Sequence, residues 1–210
     1  MSSHIIFKDR TEAGKKLSEL LGEFKGTDAI ILALPRGGVI IGQEVSKALN
    51  LPLDIIVTRK IGAPGNDEYA IGAIDINGNG SWNEAERAYV DKKWLENKVA
   101  SEKKEAERRW GEYRKGRGYL NLKNKTVIIV DDGIATGLTM QAAVAYVKNE
   151  GAVKVAVAVP VASTEAIRAL RGNAEVFVIE TPIFFNAIGE WYENFAQVSD
   201  EEVISILSSH

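Results

Sequence analysis

The sequence predicts an α/β protein with an open, mostly parallel twisted sheet and helices on both faces. Short runs of branched aliphatic residues recur along the chain, and segments with helical spacing separate them. The runs are apolar at nearly every position, which is typical of parallel strands that are buried on both faces. The length suits one domain, so we expect residues 1–210 to form a single unit with a helical insertion and a small C-terminal hood.

The predicted elements alternate in chain order. Residues 11–21 have the apolar spacing of an amphipathic helix, and residues 28–34 form an apolar strand that ends at Pro35. The later elements are the helix 39–49, the strands 53–57, 69–76 and 126–130, the helix 137–149, the strand 154–159, the helix 164–170 and the strand 175–179. This order predicts repeated strand–helix–strand units.

A charged segment, about residues 83–118, interrupts the alternation. More than half of its residues are charged, and its apolar positions are sparse. One interpretation is a solvated helix or helical hairpin with ion pairs between residues four apart. Another is a protruding flap or dimer arm beside a site, and the two are compatible. We expect a homodimer or a higher homo-oligomer.

Composition excludes several classes of function. The formal net charge is −3 and no cysteine is present, which argues against a nucleic-acid partner, thiolate metal sites and a cysteine nucleophile. The sequence offers no ligand cluster of histidine or cysteine, since the two histidines, His4 and His210, lie at the termini. The start has no apolar core of a signal peptide, and no apolar run approaches membrane-spanning length. We therefore expect a cytoplasmic protein without a membrane partner.

Two adjacent acids end a predicted buried strand in the sequence VIIVDDGIATGLT. Asp131 and Asp132 lie where ligands bind in open parallel sheets, outside the carboxyl ends of the strands. Burying the two carboxylates without partners would cost free energy. Backbone N–H groups, a metal or the hydroxyls of a sugar could serve as partners. The loop that follows is small and leads into a helix, so it could hold an anion. Capping of the helix by Thr136 and of a turn by the two acids is an equal alternative.

The thirteen residues of this segment resemble the signature for phosphoribosyl pyrophosphate (PRPP) of the type I phosphoribosyltransferases. Four apolar residues, two acids, a short variable stretch and T-G-x-T all match that signature. The resemblance implies that Asp131 and Asp132 hold the ribose hydroxyls and lie near Mg²⁺, which binds mainly through pyrophosphate and water. The same resemblance implies that the following loop binds the 5-phosphate, through Gly133, Ile134, Ala135, Thr136, Gly137, Leu138 and Thr139.

A second motif, ALPRGG, closes the first predicted strand. Arg36 can bind a phosphate with two hydrogen bonds, and Gly37 allows a close approach of the backbone. An ordinary strand-to-helix turn is the alternative. The motif stands where the family has its pyrophosphate loop, which often carries a non-proline cis peptide. The resemblance thus assigns Arg36 and Gly37 to pyrophosphate.

Two cations end the second predicted strand. Arg59 and Lys60 resemble the R-K of adenine and orotate phosphoribosyltransferases, which implies contacts with pyrophosphate; the alternative is a basic strand end in solvent. In those enzymes a further lysine follows on a mobile loop, whereas this chain has Ile61, Gly62 and Ala63. The task of that lysine could pass to the basic end of the insertion, at Arg114, Lys115 and Arg117, or be absent. The implied catalytic residues are Arg36, Lys60, Asp131 and Asp132.

Almost the whole chain resembles a subfamily of poorly characterised phosphoribosyltransferases. The matching segments are RKIGAPGNDEYAIGAI, the charged insertion, VAVAVPVAS and WYENFAQVSDEEV. In the implied reaction a nitrogenous base attacks C1 of PRPP in the presence of Mg²⁺, and pyrophosphate leaves. Such a reaction would serve nucleotide salvage. A PRPP or nucleotide sensor without catalytic activity is the main alternative, since one fold can host both.

The hood, about residues 181–198, is where the family selects its acceptor. One of four aromatic residues could stack on a base, although packing in the core is equally compatible with each: Phe184, Phe185, Trp191 and Tyr192. Hypoxanthine–guanine enzymes have an aspartate where this chain has Ala135, so that base contact is missing, as in adenine enzymes. A purine is the first choice of acceptor.

Overall fold

A five-stranded parallel sheet forms the centre of the molecule, as the sequence predicts. The computed structural model describes residues 6–118 and 120–209; His4 and His210 lie outside the described residues. The strand order is β2-β1-β6-β7-β8 and all neighbours are parallel. The strands are β1 Ile30–Ala33, β2 Leu53–Ile55, β6 Thr126–Val130, β7 Lys154–Val161 and β8 Glu175–Glu180.

Helices cover both faces of this sheet. One apolar cluster joins α1, α2 and α7 to one face, and a second joins α5 and α6 to the other. Neighbouring residues of a strand contribute to opposite clusters, as Ile31 and Leu32 do in β1, because successive side chains of a strand point to opposite faces. These helices are α1 Arg10–Leu20, α2 Gly37–Leu49, α5 Leu138–Asn149, α6 Thr164–Leu170 and α7 Asp200–Ser208.

A separate antiparallel sheet corrects two predictions. The predicted strand 69–76 belongs to it rather than to the parallel sheet, and the residues that were predicted to end the second strand begin a new hairpin. A Pro64-Gly65 turn joins β3 to β4, and Gly65 has the positive φ of 78° that this turn requires. The three strands are β3 Arg59–Ala63, β4 Asn66–Ile74 and β5 Gly80–Trp82.

The charged insertion is helical and carries the predicted ion pairs. It consists of the short helix α3 Glu84–Arg87 and the long helix α4 Lys92–Arg114. Pairs between residues four apart run along α4: Lys92–Glu96, Lys98–Glu102, Lys103–Glu107, Glu105–Arg109 and Arg108–Glu112. The C-terminal half is nevertheless packed on the domain, since Ala106 and Tyr113 are buried in the larger apolar cluster. The insertion is therefore a docked helix with one solvated face.

A buried ion pair fastens the end of α4 to the central sheet. Arg114 donates from Nη1 to Asp54 Oδ2 of β2 at 2.5 Å, and the two side chains are 6% and 2% exposed. Arg117 donates to the backbone carbonyls of Leu207 and Leu53. Both arginines therefore have structural contacts, and the interpretation that the basic end of the insertion, which includes Lys115, replaces a mobile-loop lysine stays a hypothesis.

Replacement of Arg114 by alanine is expected to lower the free energy of unfolding by about 3–5 kcal/mol, because Asp54 would stay buried without its partner. Arg108→Ala is the matched control, since Arg108 is exposed and its pairs with Glu105 and Glu112 are near the surface, where such pairs contribute less than about 1 kcal/mol. Urea unfolding of both variants measures the difference. Equal losses in the two variants would contradict a structural role for the buried pair.

The hood closes the domain against the start of the chain. Phe7 bridges to Tyr192 in parallel, Glu193 N–H donates to the Phe7 carbonyl at 2.8 Å, and Asn194 N–H donates to the Lys8 carbonyl at 2.9 Å. The rings of Phe7 and Tyr192 lie 5.4 Å apart. The hood is thus held by a segment that is distant in sequence. Among the described residues, no helix is both long and apolar enough to cross a membrane.

Candidate active site

The candidate site lies where β1 and β6 end. The register pairs Ala33 with Val130, and the N–H of Leu34 donates to the Val130 carbonyl at 2.9 Å. The segments that follow the two strands therefore start side by side. The arginine–glycine motif and the acid pair, which are about a hundred residues apart in sequence, meet at the edge of the sheet where ligands of this fold class bind.

The two acids have unequal surroundings. Asp132 is buried at 8% exposure, whereas Asp131 is half-buried and its Oδ1 accepts the N–H of Asp132 at 2.8 Å. Burial, reinforced by the neighbouring Asp132 charge, raises the pKa of Asp131 well above its ordinary value. Burial also raises the pKa of Asp132, and the guanidinium of Arg10 opposes that rise. Burial thus makes ionisation of the pair unfavourable, and hydrogen bonds donated by a ligand would offset part of that free-energy cost.

Glycine is required where the ALPRGG loop touches the acids. A Cβ on Gly37 would lie 2.0 Å from Asp132 Oδ2, and a Cβ on Gly38 would lie 2.9 Å from the Val130 carbonyl oxygen and 3.0 Å from Asp131 Oδ1. These two residues begin α2, so the acids lie against a helix N-terminus, which favours negative charge. The non-proline cis peptide that this loop often carries in the family is present here, at the bond between Pro35 and Arg36.

The loop after the acids is anchored to the neighbouring strand. The N–H of Ile134 donates to the Val161 carbonyl, and the Ile134 carbonyl accepts from the N–H of Ser163, each at 2.9 Å. The hydroxyl of Ser163 donates to the Ala135 carbonyl at 2.5 Å. Ala135 and Thr136 are exposed, so the tip of the loop faces solvent while its base is fixed.

Glycine, rather than threonine, stands at the start of α5. Gly137 is the N-cap, with a φ of 82°, and no side chain caps the helix. The interpretation of Thr136 as the helix cap is therefore wrong. Backbone N–H groups in the first turn of a helix lack partners within it, so this end of α5 suits an anion.

Arg36 lies at the site and is held by an acid of the C-terminal helix. Its Nη1 is 3.6 Å from Asp200 Oδ1, and Asp200 also accepts from the hydroxyl of Tyr113 in α4 at 2.7 Å. Burial, with the hydrogen bond to Asp200, raises the pKa of Tyr113 to about 12, which keeps this hydroxyl a donor. Arg36 lines an open cavity of about 290 Å³ with Gln197, Val198, Ser199, Asp200 and Glu201.

Arg59 and Lys60 are not at the end of a parallel strand. The strand β2 ends at Ile55, and both cations begin β3 of the antiparallel sheet. Arg59 pairs with Glu102 of α4 at 2.7 Å, and Lys60 pairs with Glu68 at 3.2 Å. Their predicted position is therefore corrected: the parallel strand ends before them, and Arg59 has its carboxylate partner on the insertion whereas Lys60 has its partner on the hairpin.

The four hood aromatics divide into buried and exposed residues. Trp191 and Tyr192 are only 5% and 4% exposed, and the Tyr192 hydroxyl donates to the Asp132 carbonyl at 2.6 Å. Their rings belong to the core, so the hypothesis that they stack on a base is not supported. Phe185 is half-buried against the core, whereas Phe184 is 84% exposed. Phe184 stays a candidate for contact with an acceptor.

Arg10 is the prominent site residue that the sequence did not single out. Its Nε donates to Asp132 Oδ2 at 2.7 Å, and its Nη1 donates to the Ala196 carbonyl of the hood at 2.7 Å. The first residue of an amphipathic helix carries no local signal for such a role, because its partner is 122 positions away. Tyr113, Ser163 and Asp200 were missed for the same reason.

Metal binding would rely on few protein groups. The described part of the chain contains no group of three or more histidine, cysteine, aspartate or glutamate side chains that could hold a metal ion. One or two carboxylates at the mouth of the loop fit Mg²⁺, which commonly binds through few carboxylates, water and the phosphates of a substrate.

A family model described as "Phosphoribosyl transferase domain" matches residues 6–202. The chain belongs to the phosphoribosyl transferase family. Two proteins of Mycobacterium tuberculosis, from the strains H37Rv and CDC 1551, carry names that assign them provisionally as phosphoribosyl transferases. Each is 38% identical over 205 residues, which are 96% of this chain and 46% of theirs. The chain thus spans about half the length of these curated relatives.

Two solved structures extend the comparison of this phosphoribosyl transferase family member. A crystal structure from Thermus thermophilus is 40% identical, with a TM-score of 0.82 over 97% of this chain and 98% of that chain. A hypoxanthine-guanine phosphoribosyltransferase from Bacillus anthracis shares the fold, with a TM-score of 0.50, 16% identity and coverage of 84% of this chain and 81% of that chain. The predicted family and fold class are confirmed, while the roles of individual residues stay predictions.

Proposed function

We propose that the protein transfers the 5-phosphoribosyl group of PRPP to a nitrogenous base and releases pyrophosphate. The observation that carries this proposal is the position of a half-buried Asp131 beside the loop at the start of α5, whose tip at Ala135 and Thr136 is exposed. A carboxylate accepts hydrogen bonds from a diol, and the N–H groups of the loop suit a phosphate. PRPP combines these two chemistries.

The reaction is a displacement at C1 of the ribose. A nitrogen of the base forms a bond to C1, the bond from C1 to the pyrophosphate oxygen breaks, and its electron pair leaves with pyrophosphate. The proton of the attacking nitrogen passes to solvent. The main tasks of the protein are to orient the two substrates and to stabilise the charge of the leaving group.

Arg36 is the best-placed group for the leaving pyrophosphate, since its loop touches the acid pair through Gly37. Arg59 would contribute after exchanging Glu102 for a phosphate. Asp131 would lie nearest to a bound Mg²⁺, and the ion, when bound with PRPP, would neutralise charge on the pyrophosphate. Lys60 would contribute after leaving Glu68, its partner in solvent.

The acceptor is proposed to be a purine. Ala135 supplies no acidic contact to a base at the position where hypoxanthine–guanine enzymes have an aspartate, so adenine is the first base to test. Phe184 offers an exposed ring at the hood, and aromatic rings stack on planar bases. Neither residue distinguishes further among the purines.

The decisive experiment incubates the protein with PRPP, Mg²⁺ and a panel of purine and pyrimidine bases. We expect release of pyrophosphate that depends on one base and yields the matching nucleoside 5'-monophosphate. The Asp131→Asn variant serves as the background control. Measurable PRPP binding without turnover on any base would instead identify a sensor, and absence of PRPP binding would refute the proposal.

A further inference from the structure

Asp131 and Asp132 are adjacent in sequence, but their side chains differ in how accessible they are to a ligand. Asp132 Oδ2 is bonded to a buried cation, Arg10 Nε, at 2.7 Å. The same oxygen lies against Gly37, where a Cβ would come within 2.0 Å of it. Asp131 is the more exposed of the two, and its Oδ1 bonds to the adjacent backbone N–H.

Arg10 is held on several sides at once. Its side chain is 10% exposed in the ion pair, and Nη1 donates to the Ala196 carbonyl at 2.7 Å. The guanidinium carbon lies 3.8 Å from the centre of the Phe195 ring, a distance at which a cation is attracted to an aromatic face. These contacts use the fork of arginine in a way that a lysine could not reproduce.

The contacts of Arg10 connect Asp132 to the hood. Phe195 and Ala196 belong to the hood, and the Tyr192 hydroxyl donates to the Asp132 carbonyl at 2.6 Å. The rings of Tyr192 and Phe195 lie 5.1 Å apart. Asp132 is therefore attached to the hood through both its backbone and its side chain, which is the geometry of an anchor.

Charge supports the same division. PRPP is a polyanion, and two ionised carboxylates at its ribose would repel it. The guanidinium of Arg10, in contact with Asp132, cancels one of the two charges at short range in a buried setting. The single carboxylate of Asp131 can then accept hydrogen bonds from a diol at a smaller electrostatic cost.

We propose that Arg10 is a positioning residue that commits Asp132 to anchoring the hood and leaves Asp131 to take the ribose hydroxyls. The inference rests on the proposed function, because it concerns how the same site divides its work. It differs from the expectation that the two acids share the ribose.

A cycle of variants tests this division: Asp131→Asn, Asp132→Asn, Arg10→Gln, and Arg10→Gln combined with Asp132→Asn. Isothermal titration with PRPP and Mg²⁺ measures the dissociation constants. We expect a loss of about 100-fold for Asp131→Asn and of less than about tenfold for Asp132→Asn. Arg10→Gln should lose about tenfold or more, because the charge of Asp132 is no longer cancelled.

The double variant separates positioning from mere structural support. Removing the charge of Asp132 should restore part of the PRPP affinity that Arg10→Gln loses, whereas a purely structural arginine would show no such rescue in the folded protein. Arg10→Lys, which keeps the charge, should bind PRPP more tightly than Arg10→Gln. Equal losses in the two aspartate variants, or a double variant no better than Arg10→Gln, would overturn the inference while the proposed function stands.

Failure of the proposed function gives a different result. If the wild-type protein does not bind PRPP, the ribose role of Asp131 falls with it. The urea midpoints of the same four variants then test the anchor by themselves, since Arg10→Gln and Asp132→Asn should be strongly non-additive if the two side chains form one unit. Additive midpoints would reject the anchor as well.

Discussion

Asp131→Asn is expected to weaken PRPP binding about 100-fold, because each hydrogen bond between a charged group and a hydroxyl contributes about 1.5–3 kcal/mol. The variant keeps the shape of the side chain and an oxygen that can accept, so the loss reports the charge. Asp28→Asn is the matched control, since Asp28 pairs with Lys125 in solvent just before β1, at the other end of the strand. Titration calorimetry with PRPP and Mg²⁺ compares the three proteins. Wild-type affinity in Asp131→Asn would remove the ribose assignment.

The same substitution is expected to raise the stability of the ligand-free protein. Burial and the charge of Asp132 raise the pKa of Asp131 in the folded state, so at neutral pH its ionised form opposes folding. Asparagine removes that cost, and the melting temperature should increase at pH 7. The gain should shrink as the pH falls through the raised pKa of Asp131, and it should vanish below the ordinary range of an aspartate, where the carboxyl is protonated in both states. A residue that weakens the fold while it serves the ligand is typical of a functional site.

Gly37→Ala is expected to cost about 3 kcal/mol or more of folding free energy and to abolish PRPP binding. The new methyl group would lie 2.0 Å from Asp132 Oδ2 and 2.8 Å from Arg10 Nε, so the ion pair and the loop cannot both keep their positions. The two side chains are buried and bonded to each other, which leaves them little room to move.

Gly111→Ala is the matched control for this prediction. Gly111 is exposed in α4 with no heavy atom within 4 Å of the position of its Cβ, and alanine in a helix is favoured over glycine by about 0.5–1 kcal/mol. Urea unfolding should therefore show opposite signs for the two glycine substitutions. A stable Gly37→Ala variant with normal PRPP affinity would show that the loop and the acids are not in close contact.

Much of the central domain could be predicted from sequence because its signals are local. The strands β1 and β6 are buried on both faces, so nearly all of their residues are apolar and the strands can be recognised in the sequence. The acid pair and the glycines of ALPRGG could also be located from sequence, because their residue types and spacing are local features. The antiparallel sheet was harder: its residues 59–63 are mixed in polarity, although Pro64-Gly65 is a turn signal between two possible strands.

The contacts that complete the site could not be predicted in the same way. Arg10 reaches Asp132 across 122 positions, and a helical periodicity is the same whether its first residue faces solvent or a carboxylate. Arg59 shows the opposite case, since the residue type was informative but its surroundings depend on Glu102 of the insertion. Pattern predicts which residues can bind an anion, whereas the fold decides which of them already have a partner.

The insertion helix α4 has a consequence for the energetics of ligand entry. Its Glu102 pairs with Arg59, and its Tyr113 supports Asp200, which pairs with Arg36. Each of the two arginines that are proposed to bind pyrophosphate is thus already paired with a carboxylate of the protein. Binding of pyrophosphate there would be an exchange of one anion for another rather than the filling of a bare cationic cleft, and the displaced carboxylates would make its release correspondingly easier.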